Sequence, residues 1–271
     1  MRTLRATCMA LVLVVYASAL AVGPLTGGAY ASQDRGHAGE VPGASHWLGT
    51  DGLGRDRLVR LLFGARTSLM LAPAAALLAA ALATAIGSTA ALAGGRTQRA
   101  TLYLADVVAS TPWFFALLMV RAVLPLNVEP AVSVAITFAL LGLLGWPQGV
   151  RPIAACSASV LRSEFLRQAR AAGTGRLRLL MRHVAPNLAP VVAAHFWGTL
   201  PVFILAEANL SLLGLGIAEP LPSLGNLMAE FRDCRTVAQH PWLLAPALLL
   251  VVTIGALQAL VRPETSSHDC A

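Results

Sequence analysis

The sequence predicts an all-α, polytopic membrane protein of about six transmembrane helices. Three observations predict it. Six long apolar runs recur along 271 residues. Only 12% of the residues are charged, against 56% apolar. The arginines are sorted unequally between the segments that join the runs. Soluble domains carry about 25% charged residues, so this chain has too little charge to cover a water-facing surface. A mean hydropathy of +0.68 also points to lipid as the solvent.

The runs lie at roughly 8–25, 68–93, 101–124, 131–149, 188–212 and 241–261. A spanning helix needs about 20 mainly apolar residues, which the second, third and fifth runs exceed. The fourth is marginal, bounded by Pro130 and by Pro147 before Arg151. The sixth opens at Pro241 and ends before Pro263. The first has two readings. Arg2 and Arg5 precede Cys8 to Val22, and Ala17-Ser18-Ala19 and Ala29-Tyr30-Ala31 both resemble cleavage sites, the layout of a secretory signal peptide. The rest of the chain favours an uncleaved first helix, because six spans return the C-terminus to the side of the N-terminus.

Arginine placement orients the spans. With the N-terminus inside, inner segments hold twelve arginines and three acids, and outer segments hold eight of each. This places 94–100, 151–190 and the C-terminus in the cytoplasm. All 20 basic Lys/Arg side chains are Arg. With no Lys there is no standard Walker A, whose Lys reaches the β- and γ-phosphates, and no Schiff-base chemistry. The net charge of +7 is read as topogenic, so no nucleic-acid partner is assigned. Cys8, Cys156, Cys234 and Cys270 form no metal-ligand spacing and no disulfide framework. No HExxH, GxSxG or paired intramembrane Asp occurs. No catalytic, cofactor or metal site is therefore assigned, and the chain is not expected to be an enzyme.

The 151–190 segment is long beside the loop at 94–100 and carries helical periodicity. Leu161, Phe165, Ala169 and Ala172 form one apolar face, with Arg162, Arg167 and Arg170 mostly off it. Gly173-Thr174-Gly175 breaks that helix. Leu177, Leu180, Met181 and Val184 repeat the pattern beside Arg176, Arg178 and Arg182, and Pro186-Asn187 stops it. Two short amphipathic helices at a glycine elbow are expected. They suit a surface pair that snorkels its arginines among anionic headgroups, or a docking element for a cytoplasmic partner.

The outer stretch Gly49 to Leu69 reads as an interfacial lead-in to the second span. Asp51 and Asp56 can offset Arg55 and Arg60, and Gly54 permits a tight turn. Arg60 and Arg66 could snorkel to headgroups, while Leu58, Leu61, Leu62 and Ala65 form an apolar face. Anchoring the span and contacting substrate both remain open for it. Asp106 and Glu207 are intramembrane acids, which default to functional hypotheses. Both lie near the ends of their runs, so each can also serve structurally, by reaching an interface or pairing with an Arg. Pro201 is expected to kink the fifth span.

Three stretches carry a family resemblance. Glu164 to Pro190 resembles the EAA loop of ABC importer permeases. Ala169, Gly173, Pro186 and Asn187 fall on its pattern, and Arg182-His183 matches the Arg-His of the peptide branch. Arg167 stands where that branch has Glu, Gln168 replaces the first Ala, and Ala185 replaces Leu. Gly49 to Leu69 is similar to the G-T-D-x-x-G-R-D-x-x-x-R-x-x-x-G-x-R-x-S-L motif of the peptide/nickel branch. Gly49, Thr50, Asp51, Gly54, Arg55, Asp56, Arg60, Gly64, Arg66, Ser68 and Leu69 all fit. Ile204 to Glu230 resembles that branch's E-A-x-L-S-F-L-G-L-G and P-S-W-G segment, through Glu207, Ala208, Leu210, Ser211, Leu213 to Gly216, Pro222, Ser223 and Gly225. The usual G-D-x-L-R-D-like ending is missing from Gln258 to Glu264.

The chain thus looks like a transmembrane subunit of a dipeptide/oligopeptide/nickel ABC importer. That resemblance implies a type I ABC importer permease fold in a prokaryotic plasma (inner) membrane. It implies a homologous second permease, two cytoplasmic ABC ATPases and an extracytoplasmic solute-binding protein as partners, with no cofactor. Ala169, Arg170, Gly173, His183, Pro186 and Asn187 would form the coupling loop to the ATPase. Gly49, Thr50, Asp51, Gly54, Arg55, Asp56, Arg60 and Arg66 form the extracytoplasmic motif. Asp106, Pro201 and Glu207 are candidates for the pathway or for helix packing. The expected division is an N-terminal helix and lead-in at 1–66, a permease domain at 67–261 with its loop at 151–190, and a tail at 262–271. Peptides, nickel or related small solutes are the implied cargo. The alternative is a degenerate, non-transporting scaffold, suggested by Arg167 and the altered C-terminus.

Overall fold

The computed structural model describes residues 2–26, 29–123, 129–164, 185–232 and 234–261. Among them helix dominates and no β-strand occurs. Helix α1 (Arg2–Thr26) is followed by an irregular segment and then by α2 (Arg57–Ala93). Next come α3 (Gly95–Ser110), α4 (Trp113–Val123), α5 (Pro130–Gly145) and α6 (Pro147–Arg162). Helix α7 (Ala185–Leu212) leads into the short α8 (Leu224–Leu227) and α9 (Cys234–Gln239), and α10 (Ala245–Val261) closes the chain.

Three helical segments, Arg57–Ala93, Ala185–Leu212 and Pro241–Leu260, are long and apolar enough to cross a membrane. Two bent pairs pass the same test together: α3 with α4, bent by 72°, and α5 with α6, bent by 43°. The shorter apolar stretch Met9–Gly23 lies in α1. These six pieces answer the six apolar runs one for one.

The bends follow from proline. Pro112 disfavours helical backbone at the residue before it, and Thr111 is extended at φ −67° and ψ 130°. Pro147 lacks a donor and crowds the preceding turn, so the helix bends there. It does not end there: α6 continues to Arg162, well past the expected limit near 149. Helix α2 also starts eleven residues before its apolar run. Asp56 caps it, its Oδ1 accepting from the Val59 amide at 3.0 Å. At 37 residues it is roughly 55 Å long, beyond the ~30 Å of a hydrocarbon core. Its first turns are therefore the amphipathic lead-in, continuous with the span.

The chain forms two compact units, Met1–Met70 with Glu207–Ala271, and Leu71–Ala206. In the first, α1 packs along α10 and buries Val15, Ala19 and Val22 among its described side chains. In the second, α2 buries Ala72, Ala76, Ala79, Ala83 and Ala90. Small residues let membrane helices approach closely where no hydrophobic force drives them together. Glycines of the neighbouring helices meet this stripe. A Cβ on Gly142 would lie 3.0 Å from the Ala75 carbonyl, and one on Gly149 would lie 2.9 Å from the Ala83 Cβ. Val150, Ile153 and Leu161 of α6 join Ala83, Ala105 and Leu188 in a single buried cluster.

Candidate functional site: the outer motif, Glu207 and the inner helix ends

The outer motif folds into a closed turn at the start of α2. Asp51 organises it. Its Oδ1 accepts from the Leu53 and Arg55 amides, each at 2.9 Å, and its Oδ2 accepts from Arg55 Nε at 2.6 Å. Gly54 turns back beneath it at φ +76°, and a Cβ there would collide with the Asp34 backbone. Glycine is required on both counts. Thr50 pins the preceding segment, its Oγ1 accepting from the Glu40 amide at 2.9 Å and donating to the His37 carbonyl at 2.5 Å. Burial of Asp51 opposes its charge, but the Arg55 amide and guanidinium and the Leu53 amide outweigh that. The carboxyl is held below the ordinary aspartate range.

From this turn, charged side chains reach the segment after α7. Arg55 Nη1 donates to Glu219 Oε2 at 3.0 Å, and Arg60 Nη2 donates to Glu219 Oε1 at 2.9 Å. Arg57 Nη1 donates to Glu230 Oε2 at 2.5 Å. The Arg60 side chain is 4% exposed, so it does not snorkel to headgroups as its sequence position suggested. Arg66 is half-buried, with its guanidinium packed against Gly23 of α1. Asp51 pairs with Arg55 as expected, whereas Asp56 serves as the cap of α2.

Glu207 is fully buried, and its partners are hydroxyls, not an Arg. Ser68 Oγ donates to Oε2 at 3.1 Å, and Ser211 Oγ donates to Oε1 at 2.8 Å. Ser68 in turn accepts from the Leu224 amide at 3.3 Å. Ser223 caps α8 in a reciprocal box with Asn226. A Cβ on Gly64 would lie 3.0 Å from the Ser223 carbonyl carbon, and one on Gly225 would lie 2.6 Å from the Ala208 Cα. The two outer motifs thus interlock around one carboxyl. Ser211 was legible as its partner, since residues four apart share a helix face. Ser68, 139 residues away, was not.

Asp106 does pair with an arginine. Arg151 Nε donates to its Oδ1 at 3.2 Å, and Nη2 donates to its Oδ2. The pair ties α3 to α6, which pack together. Pro201 lies inside α7, which runs unbroken through it. Pro186 and Asn187 begin α7, and Ala185 follows the last undescribed residue before it. Ala169, Arg170, Gly173 and His183 lie outside the described residues. A groove of about 440 Å³ runs between α2 and α7, lined by Ala80, Thr84, Ser88, Leu188 and Val192 among others. Thr84 and Ser88 donate to carbonyls of their own helix, which leaves the groove wall small and apolar. Among the described residues no group of three or more His, Cys, Asp or Glu is placed to hold a metal.

Apolar helices tied together by a few polar contacts, Asp106 with Arg151 and Glu207 with Ser68 among them, define a multi-pass, all-helical membrane protein. The chain belongs to the family of binding-protein-dependent transport system inner membrane components, whose model matches residues 83–262. It is similar to the oligopeptide transport system permease protein OppC of Mycobacterium tuberculosis, at 31% identity over 91% of this chain and 83% of that one. It is 33% identical to OppC of Escherichia coli over 78% of this chain and 68% of the relative. The corresponding values for OppC of Bacillus subtilis are 30%, 83% and 72%. The protein is an ABC importer permease of the inner membrane.

Proposed function

We propose that this permease carries oligopeptides or related small solutes, nickel complexes included, and couples to separate ATPases through residues 151–190. The family match carries the reading, because residues 83–262 contain that whole segment. The relatives' names supply the peptide cargo. In this reading a solute-binding protein delivers cargo from outside and a homologous second permease completes the pathway. The small, apolar α2–α7 groove supports helix-on-helix packing with that second subunit. Two ATPases dock at the glycine elbow. ATP drives the cycle because it binds the two conformers of the assembly with different affinity, and only such a difference shifts a population. The chain itself does no chemistry.

Replacing Gly173 with Glu tests the coupling role. Assembly with the ATPases, read by co-purification, is expected to persist while ATP-driven uptake is lost. Uptake at the wild-type rate would remove the elbow from the coupling mechanism. Arg167 and the altered C-terminus favour one second reading, a non-transporting scaffold. That reading requires a wild-type assembly that forms and takes up no peptide.

A further inference from the structure

We propose that a cleft formed by Arg99, Tyr103 and Arg151 binds the phosphate of an anionic phospholipid at the membrane surface. The cleft measures about 160 Å³ and is lined by Arg99, Leu102, Tyr103 and Arg151. That is room for several water-sized groups, enough for a phosphate.

The geometry follows from helix spacing. Arg99 and Tyr103 are four residues apart on α3, so they share a face. Arg151 comes from α6, which packs on α3. The Arg151 pair with Asp106 uses Nε and Nη2. It orients the guanidinium, and Nη1 takes no part in it. Charge favours an anion: Arg99 and Arg151 against Asp106 leave one net positive charge, and Arg96, one turn before Arg99, adds a second.

The surroundings select lipid over a soluble anion. Tyr103, Leu104 and Val107 of α3 are 68%, 60% and 64% exposed. They form an apolar strip running from the cleft along the helix, where an acyl chain attached to the bound phosphate would lie. A basic pocket between transmembrane helices at the headgroup level is the usual form of such a site, with Tyr at the interface and its ring toward the hydrocarbon.

The test uses purified full-length protein in micelles, supplied with equal phosphatidylglycerol and phosphatidylcholine, with retained lipids counted by native mass spectrometry. The wild type is expected to retain phosphatidylglycerol preferentially. Arg99→Gln is expected to lower that preference about fivefold, the equivalent of roughly 1 kcal/mol for one arginine at an anionic surface. Arg99 makes no ion pair among the described residues, so this variant leaves the Asp106–Arg151 tie intact. Arg151→Gln is expected to lower the preference at least as far. Unchanged phosphatidylglycerol retention in Arg99→Gln would overturn the proposal. So would loss of the wild-type preference in millimolar inorganic phosphate, which would make a soluble anion the ligand.

Discussion

Glu207→Leu removes the acceptor on which Ser68, Ser211 and Ser223 converge. In the native protein Ser68 donates at 3.1 Å and Ser211 at 2.8 Å to the same fully buried carboxyl. Leucine fills a similar volume but leaves these hydroxyls without that acceptor. Hydrogen bonds between membrane helices average about 0.6 kcal/mol and reach about 1.7. An orphaned buried polar group costs about 1–3 kcal/mol. Ser211 can turn back to a carbonyl of its own helix, as Thr84 and Ser88 do, which trims its share. The expected loss is therefore about 2–4 kcal/mol. Glu207→Gln keeps one acceptor oxygen and is expected to cost about 1 kcal/mol. Reversible unfolding of the purified protein in mixed micelles measures both. A double-mutant cycle isolates the helix-to-helix part: in a Ser68→Ala background the cost of Glu207→Leu should fall by about 1 kcal/mol. A neutral Glu207→Leu, or a cost unaffected by Ser68→Ala, would refute the reasoning.

Gly225→Ala places a Cβ 2.6 Å from the Ala208 Cα and 2.7 Å from the Ser211 Cβ, atoms that cannot swing aside. It should destabilise by about 1–3 kcal/mol, whereas Gly255→Ala, with nothing within 4 Å, should leave the unfolding midpoint unchanged or slightly raised. Asp51 gives a pH signature. Its folded pKa lies below the unfolded value, so folding binds fewer protons. Its stabilisation is complete above the ordinary aspartate value of ~3.9 and drains away as pH falls through the lowered folded value. Asp51→Asn should lower stability at neutral pH by about 1–3 kcal/mol and flatten the stability profile below about pH 4. Equal acid sensitivity in variant and wild type would assign that dependence to other groups.

The places of the apolar helices were legible because lipid demands long apolar runs. Their shapes were less so. Pro147 was visible in the sequence, and hydropathy falls at Arg151, so the run reads as ending there. The helix persists because its backbone bonds are internal and its inward positions remain apolar: Val150, Ile153, Ala154 and Leu161 are all buried. Leu161 was legible as part of an apolar face, but that face continues α6 upstream. Pro112 likewise breaks the third run into two helices at 72°, a magnitude that only packing sets. Partner choice was the least legible feature. The Asp106–Arg151 and Glu207–Ser68 contacts join residues 45 and 139 positions apart, and nothing local in the chain specifies either register.

The two outer motifs look independent in sequence, but they are one packing unit. Gly64 has no side chain where Ser223 closes on it, and Gly225 has none where Ala208 and Ser211 do. Ser68 of the first motif bonds Glu207 and Leu224 of the second. Arg55 and Arg60 share Glu219, and Arg57 holds Glu230. These side chains are engaged between the two stretches, whereas Thr50 and Gly54 are held by the preceding segment at Asp34 to Glu40. Of the two readings left open for Gly49 to Leu69, we propose the anchoring one on the ground of this mutual fit. A substrate-reading motif would aim polar groups at open space. In this motif Asp51 and Ser68 are buried and turned toward other residues of the chain, and Arg60 is buried with its Nη2 on Glu219.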